Sequence, residues 1–240
     1  MKKVFFIILF FINHFEINAQ ITMPNFQPLQ YVGSNFGNAL NFDGTSTYGL
    51  GKVYVKDSLT DFTIEFWIKN TGTDGANDRI YSSYNNNALQ VGKNNTHLRL
   101  LASDLGGAAT WQTVCTLESN MWVHIAIVRG STNLKVYKNG GLAQTYSVDA
   151  ISYLPTLFRL GSNIEGIGEN GNFSIDELRI WKIAVTPTLI NKYMYTTINP
   201  NATTDQNPST KLVLYYRFDQ GTSGSSNDNE LGLYNSAISN

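Results

Sequence analysis

The feature that most constrains the fold is a series of short runs in which apolar and polar residues alternate, separated by clusters of Gly, Asn and Asp. Successive side chains of a strand point to opposite faces of its sheet, so a period of two indicates strands with one buried face. Runs of this length between turn-forming residues are typical of β-sandwiches and barrels. The predicted strands lie near residues 39–43, 62–69, 79–84, 88–92, 97–102, 111–116, 122–130, 133–138, 142–147, 157–161, 173–182 and 211–218. The sequence therefore predicts one all-β domain.

Three segments show how the strands are arranged. DFTIEFWIK, residues 61–69, alternates throughout, which predicts one core face and one mostly polar face. MWVHIAIVR, residues 121–129, is apolar at both its odd and its even positions, as expected of a strand near the middle of a layer that is buried on both faces. Asn139–Gly140 predicts a tight hairpin, since both residues readily adopt the positive φ that such a turn requires.

One short helix is predicted near residues 187–195. Thr186 is a suitable N-cap because its hydroxyl can accept a hydrogen bond from a free amide of the first turn. Pro187 fits the first helical position, where its missing N–H has no intrahelical partner to lose. The helix is expected to pack on the edge of the sandwich.

The N-terminal residues have the pattern of a secretory signal. Lys2 and Lys3 precede a short apolar run, and Ala19 followed by Gln20 offers a cleavage point. The apolar run is shorter than the roughly 18 residues that a membrane span requires, so membrane insertion is not expected. The predicted division is a signal peptide at 1–19, a lead segment at 20–38, one domain at 39–224, and a polar tail or linker at 225–240.

Charge and cysteine content narrow the classes of partner. Removing Lys2, Lys3 and Glu16 with the leader takes 17 basic and 18 acidic residues to 15 and 17, with no dense basic run. Nucleic acid is therefore not an expected partner.

Cys115 is the single cysteine, so no intramolecular disulfide can form and the fold must depend on its hydrophobic core.

Seven motifs, taken in order, carry a family resemblance. They are ALNFDGTSTYGL, FTIEFWIK, WVHIAIVRG, KVYKNGGL, FRLGSN, FSIDELRIWKIAVTPTLINKY and LVLYYRFDQGTSG, between Ala39 and Gly224. In this order they resemble laminin G-like jelly-roll domains of the concanavalin A-like lectin and glucanase superfamily. The resemblance implies a two-sheet antiparallel jelly-roll sandwich with one curved sheet, which holds ligands on its concave face or at loop rims.

The adjacent acids Asp176 and Glu177 are expected to point to opposite faces of their sheet, and so not to form one catalytic pair. A glycosidase needs two carboxyl groups about 5–9.5 Å apart across one site. The glucanases of this superfamily carry acids at every second position of one strand, and this sequence lacks that spacing. A cross-strand pair of Glu65 and Glu177 is the enzymatic alternative, whereas Arg179 favours a simple ion pair with Glu177 or Glu65.

The resemblance also implies a structural calcium ion. Asp176 lies in FSIDELRIW, where the family often places a carboxylate for such an ion, and Asp43, with Asp74 or Asp78, could join it. Calcium takes six to eight oxygen ligands, which carboxylates and loop carbonyls supply. The alternative is that Asp43–Gly44 forms a turn and that the other acids are solvated.

Carbohydrate binding needs an aromatic surface for the sugar ring and amide or acid groups for its hydroxyls. Tyr84 with Asn86 at a strand end, and Trp111 after the loop DLGGAAT, offer this combination. The resemblance implies that His124, within WVHIAIVR, is a packed strand residue, and Cys115, between Val114 and Thr116 in a predicted strand, is expected to be a small buried residue. No nucleophile elbow and no zinc-ligand spacing accompany them.

The sequence thus predicts an exported, non-catalytic module that binds a glycan or a surface protein in adhesion or targeting. One alternative is a divergent glycoside hydrolase that uses Glu65 and Glu177. The other is a purely structural module of a larger surface protein. The oligomeric state is left open.

Overall fold

A computed structural model describes residues 39–45, 49–52, 61–72, 75–83, 89–102, 110–148, 157–164 and 168–218. The predicted signal peptide, lead segment and polar tail lie outside the described residues.

Thirteen strands and two short helices make up the described part of the chain. The strands are β1 (Leu40–Asp43), β2 (Gly49–Lys52), β3 (Phe62–Asn70), β4 (Ala76–Ser83), β5 (Gln90–Asn94), β6 (His97–Leu101), β7 (Gln112–Thr116), β8 (Trp122–Arg129), β9 (Asn133–Lys138), β10 (Gly141–Ser147), β11 (Leu157–Leu160), β12 (Asn172–Trp181) and β13 (Leu212–Tyr216). The helices are α1 (Pro187–Tyr193) and α2 (Pro208–Lys211).

The strands form two antiparallel sheets. Sheet A has the order β1-β12-β3-β8-β9-β10, and β13 also pairs with β12. Sheet B has the order β2-β11-β4-β5-β6-β7. The chain is therefore the all-β, two-sheet antiparallel sandwich that the sequence predicts. The one strand missed is β2, because its sequence GLGK has no apolar alternation.

A single hydrophobic core lies between the sheets. Its largest members are aromatic and aliphatic side chains from alternate positions of both sheets, such as Phe66, Ile125, Tyr81 and Phe158. The rings of Tyr81 and Phe158 stack with centroids 5.0 Å apart. Fully burying side chains of this size contributes roughly 1.5–3 kcal/mol each, so this core supplies the stabilisation that a disulfide would otherwise add.

The central strand and the hairpin are as predicted. β8 lies between β3 and β9 in sheet A, which explains its apolar residues on both faces. Asn139 and Gly140 have φ of 49° and 78°, and they join β9 to β10 in a two-residue hairpin.

A segment that we call the strap, residues 182–211, covers the outer face of sheet A, which points away from sheet B. Helix α1 begins with Pro187 at the predicted position, and Ile190 is buried in a second apolar cluster on this face. The hydroxyl of Thr186 makes no capping hydrogen bond, so that detail of the prediction is wrong. Helix α2 is a further single turn within the strap that the sequence did not predict.

Because the strap lies there, the second, mostly polar face of β3 is buried. Thr63, Glu65 and Trp67 are each 0–1% exposed. Thr63 bonds to the strap through the carbonyl of Ile183 at 2.8 Å, and Trp67 Nε1 donates to the carbonyl of Met194 at 2.7 Å. The polar groups on this face are therefore buried anchors of the strap.

Within the described residues, no helix has both the length and the apolar character that a transmembrane helix needs.

Candidate functional site

A β-bulge in β12 decides where the two adjacent acids point. Asp176 lies opposite Trp67 on β3, and Arg179 lies opposite Glu65, so two residues of β12 face one residue of β3. The extra residue of the bulge is accommodated at Glu177, whose backbone takes a left-handed conformation with a φ of 50°.

Both carboxyl groups therefore lie on the outer, strap-covered side of sheet A. Asp176 shares the cross-strand position of Trp67, and Glu177 bonds to Arg179 on that same side. Leu178, the next residue, points into the core between the sheets. The expectation that Asp176 and Glu177 diverge is wrong, because strict alternation does not hold across a bulge.

Arg179 is the centre of a buried charged network on this face. Its Nη2 lies 2.6 Å from Glu177 Oε2, which is the predicted ion pair, and its Nη1 lies 3.6 Å from Glu65 Oε1. The same guanidinium donates to the carbonyls of Tyr193 and Thr196 in the strap, at 2.9 and 2.8 Å. One cation thus pairs with two carboxyl groups and also holds the covering segment.

Glu65 and His124 meet at the other side of the network. Trp181 Nε1 donates to Glu65 Oε1 at 2.9 Å, and His124 Nε2 lies 3.6 Å from Glu65 Oε2. Burial raises the pKa of Glu65, although Arg179 opposes that shift. Burial and the charge of Arg179 lower the pKa of His124 to about 3, so the imidazole is neutral at physiological pH. His124 is a packed residue, as predicted, with its ring 5.3 Å from that of Trp67.

The geometry of Glu65 and Glu177 is that of a structural network. Both residues are 1% exposed, Arg179 stands between their carboxyl groups, and the strap closes the face. General acid and base catalysis requires a carboxyl within hydrogen-bond reach of substrate or water. In this arrangement the two acids instead lie within ion-pair range of Arg179.

The predicted calcium ligands do not all meet. Asp43 ends β1 opposite Asn172, whereas Asp176 lies four residues further along β12, roughly 13 Å away at strand spacing. Asp43 Oδ1 accepts from the amide of Thr45 at 2.9 Å, which is the predicted alternative of a turn at Asp43–Gly44. Asp74 lies outside the described residues. Among the residues with described positions, no group of three or more His, Cys, Asp and Glu side chains could hold a metal ion.

Of the predicted ligand-binding residues, Tyr84 and Asn86 lie outside the described residues. Trp111 is half-buried on sheet B, with the guanidinium carbon of Arg79 4.5 Å from its ring and that of Arg99 at 5.7 Å. The indole is therefore packed among arginines and is not the free-standing plate that the preceding Gly-Ala loop suggested.

A polar cleft opens at one rim of the sandwich, where the two sheets meet. It has a volume of about 360 Å³, which is at the lower end of the roughly 300–1,000 Å³ typical of small-molecule sites. Its walls come from the end of β3, the β5–β6 turn and the segment before β8. The lining residues are Asn70, Thr71, Gly72, Asn95, Thr96, Ser119 and Asn120.

The floor of this rim cleft is held rigidly. Asn70 is 3% exposed, and its side chain donates to the carbonyl of Asn95 at 3.1 Å while accepting from Lys93 Nζ at 2.7 Å. Its backbone carbonyl accepts from the amide of Asn120 at 2.7 Å. Because the floor residue ties the walls together, the cleft is preformed.

The edge of the rim cleft carries side chains that remain available to a ligand. The hydroxyls of Thr96 and Ser119 and the side-chain amide of Asn120 make no hydrogen bond within the part of the chain that the structure describes. Asn95 and Asn120 hold φ of 51° and 57°, which favours Asn among non-glycine residues. The sequence signal was two polar turns, KNNT and ESN, but sequence alone does not show that two turns 25 residues apart meet.

These features define a jelly-roll sandwich with a preformed polar cleft at its rim. A laminin G-type family model, described as the concanavalin A-like lectin/glucanases superfamily, matches residues 42–191. The chain belongs to this family, as the sequence motifs predicted. No curated protein matches the sequence.

Several solved structures share the fold. A "putative carbohydrate binding protein" from Bacteroides ovatus is 19% identical with a TM-score of 0.62, over 78% of this chain and 53% of that one. The binding domain of botulinum neurotoxin serotype D is 17% identical with a TM-score of 0.53, over 66% of this chain and 42% of that one. A heptameric SAP-like pentraxin from Limulus polyphemus is 17% identical with a TM-score of 0.50, over 63% and 78%. This chain spans about half the length of the Bacteroides protein, and identities this low support the fold alone.

Proposed function

We propose that this chain is a non-catalytic carbohydrate-binding module whose glycan site is the rim cleft. The observation that carries the proposal is the convergence of Thr96, Ser119 and Asn120, from both sides of a preformed cleft, with hydrogen-bonding groups available to a ligand. The similarity to a "putative carbohydrate binding protein" supports the same class of function.

The chemistry of the lining suits neutral sugars. A sugar hydroxyl both donates and accepts, and Ser and Thr hydroxyls and Asn amides can do the same. No lining residue carries a charge, and the Lys93 ammonium below the floor is already bonded to Asn70 and to the carbonyl of Gly72. A site of this kind selects ligands by the positions of several hydroxyls.

The buried network supports the absence of hydrolysis. Glu65 and Glu177 form the one enzymatic alternative that the sequence offers, and both are shielded by the strap and bonded to neighbouring side chains. Incubation with β-glucans should release no product. Turnover that is lost in Glu177→Gln would instead establish the divergent glycoside hydrolase.

Binding can be tested with a neutral glycan array followed by calorimetry on the best ligand. Thr96→Val and Ser119→Ala each remove one hydroxyl and should weaken binding by about threefold to tenfold, the range for one hydrogen bond. Ser131→Ala, an exposed serine on the β8–β9 turn, is the matched control. Unchanged affinity in both cleft variants would show that the ligand binds elsewhere. If no glycan on the array is bound, a purely structural module is favoured.

Export is part of the proposal, because the leader predicted at residues 1–19 fits a module that acts on surface glycans in adhesion or targeting. Expression of the full chain in a secreting bacterium should yield extracytoplasmic protein that begins at Gln20. Retention of the whole N-terminus in the cytoplasm would contradict it.

Calcium enters the proposal through Asp43 and Asp74. Asp43 pairs with Asn172, and Asn172 bonds to Thr71, which precedes Asp74 by three residues in the sequence. Asp176 has no part in it, because it lies about four residues away along β12. A calcium-dependent rise in melting temperature that Asp43→Asn abolishes would support the site, and an unchanged midpoint on chelation would eliminate it.

A further inference from the structure

The strap leaves one end of the outer face of sheet A uncovered. Asp176, Trp67 and His124 form a row across β12, β3 and β8, and each of them is 1% exposed. The next outward row lies two residues closer to the rim, and its first residue is exposed and the others are half-buried. This row, which we call the open strip, consists of Asn41, Ser174, Lys69 and Trp122 on four adjacent strands.

Aromatic side chains border the open strip. Tyr195 of the strap is 37% exposed, and its ring centroid lies 5.5 Å from that of Trp67, one row from the strip. Trp122, within the strip, packs against the buried pair of Trp67 and Met194. Two partly exposed aromatic side chains therefore rest on one buried indole, which holds them in place.

The other residues of the open strip supply hydrogen-bonding groups. Ser174 Oγ donates to Asn41 Oδ1 at 3.0 Å, and the amide nitrogen of Asn41 makes no hydrogen bond in the described ranges. The Lys69 ammonium likewise has no hydrogen bond or ion pair in those ranges. Lys69 lies between Ser174 and Trp122 in the strand register. The strip therefore combines polar donors with an aromatic ring, which is the combination that sugar binding requires.

The open strip is continuous with the rim cleft. Thr71 lines the cleft and follows Lys69 by two residues, just past the end of β3. Its hydroxyl donates at 2.7 Å to Oδ1 of Asn172, which precedes Ser174 by two residues on β12. The strip crosses three strand spacings, or roughly 14 Å. The cleft and the strip together are therefore longer than a single sugar ring.

We propose that the open strip and Tyr195 form a second glycan subsite, so that the ligand is an extended oligosaccharide running from the rim cleft onto the outer face of sheet A. Tyr195 and Trp122 contact the apolar faces of sugar rings, and Lys69 and Asn41 donate to sugar oxygens. This inference rests on the proposed function, and it adds residues that the rim cleft does not contain.

The length of the ligand tests the inference. Affinity electrophoresis through gels that contain laminarin, xylan, galactomannan or dextran shows which polymer retards the protein most. Calorimetry then measures the affinity for oligosaccharides of that polymer, from the disaccharide to the hexasaccharide. The affinity should rise along this series, because only the longer ligands reach from the cleft to the strip.

Variants of the open strip should weaken binding of the hexasaccharide and leave the disaccharide unaffected. Tyr195→Ala should weaken it by roughly threefold to tenfold, the range for one aromatic contact, whereas Tyr195→Phe should retain it. Lys69→Gln should have an effect of similar size, because one hydrogen-bond donor with a charge is lost. Leu142→Ala and Lys135→Gln are the matched controls, since they remove an exposed apolar side chain on β10 and a half-buried lysine on β9.

The cleft variant Ser119→Ala separates this inference from the proposed function. If Ser119→Ala weakens binding while Tyr195→Ala and Lys69→Gln change nothing, the open strip is refuted and the rim cleft stands. If Tyr195→Ala weakens binding and Ser119→Ala does not, the strip stands and the cleft is refuted. Affinity that is independent of chain length, or no retardation by any of the four polymers, overturns the inference.

Discussion

Replacing Arg179 with Met is the most informative test of the buried network. The substitution keeps the length of the side chain but removes a cation that lies 2.6 Å from Glu177 and 3.6 Å from Glu65. It also removes both hydrogen bonds to carbonyls of the strap. Removing one partner of a buried charge pair costs about 3–5 kcal/mol, so we expect a loss of that size in the free energy of unfolding.

The size of this loss should depend on pH. Arg179 lowers the pKa of Glu65 against the larger effect of burial, so the variant should have a Glu65 pKa raised further above the ordinary value of 4.5. A carboxyl with a raised folded-state pKa destabilises the native state as pH rises above the unfolded value, because the unfolded chain then ionises more easily. The deficit of Arg179→Met should therefore be larger at pH 7.5 than at pH 4.5.

Urea unfolding followed by tryptophan fluorescence measures both effects. Arg217→Gln is the matched control, since Arg217 also approaches Glu177, at 3.7 Å, but its side chain is 43% exposed. Exposed ion pairs contribute about 1 kcal/mol or less, so this variant should differ little from the native protein. If Arg179→Met is no less stable than Arg217→Gln, or if its deficit is the same at both pH values, the structural role assigned to the network is refuted.

Three smaller predictions follow from individual side chains. Burial raises the pKa of Glu65, so Glu65→Gln should remove a contribution that makes the native protein less stable as pH rises above 4.5, which urea titration across pH measures. Gly161→Ala combines a φ of 77° with a Cβ that would collide with Phe42, so it should destabilise by more than about 1 kcal/mol in thermal melts, whereas Gly130→Ala should be nearly neutral. Burial raises the pKa of Cys115 to about 11, so Ellman's reagent at pH 8 should label it slowly in the folded chain and rapidly in urea.

The sequence by itself determined the class of fold and most of its elements. Period-two alternation predicted twelve strands, Asn139–Gly140 predicted the hairpin, and Thr186–Pro187 predicted where α1 begins. These are local properties, because side-chain alternation and turn conformation depend on neighbouring residues. Seven motifs in order likewise identified the family.

Only the tertiary structure decided what the polar residues do. The bulge at Glu177 put two adjacent acids on one face, and the strap turned the polar face of β3 into a buried one. The rim cleft likewise joins Thr96 to Ser119 because Leu117 bonds to Thr96 beside the β6–β7 pair and Asn120 bonds to Asn70 of sheet A. Strand register and strap docking are set by contacts between residues far apart in the chain, so no local pattern could have revealed them.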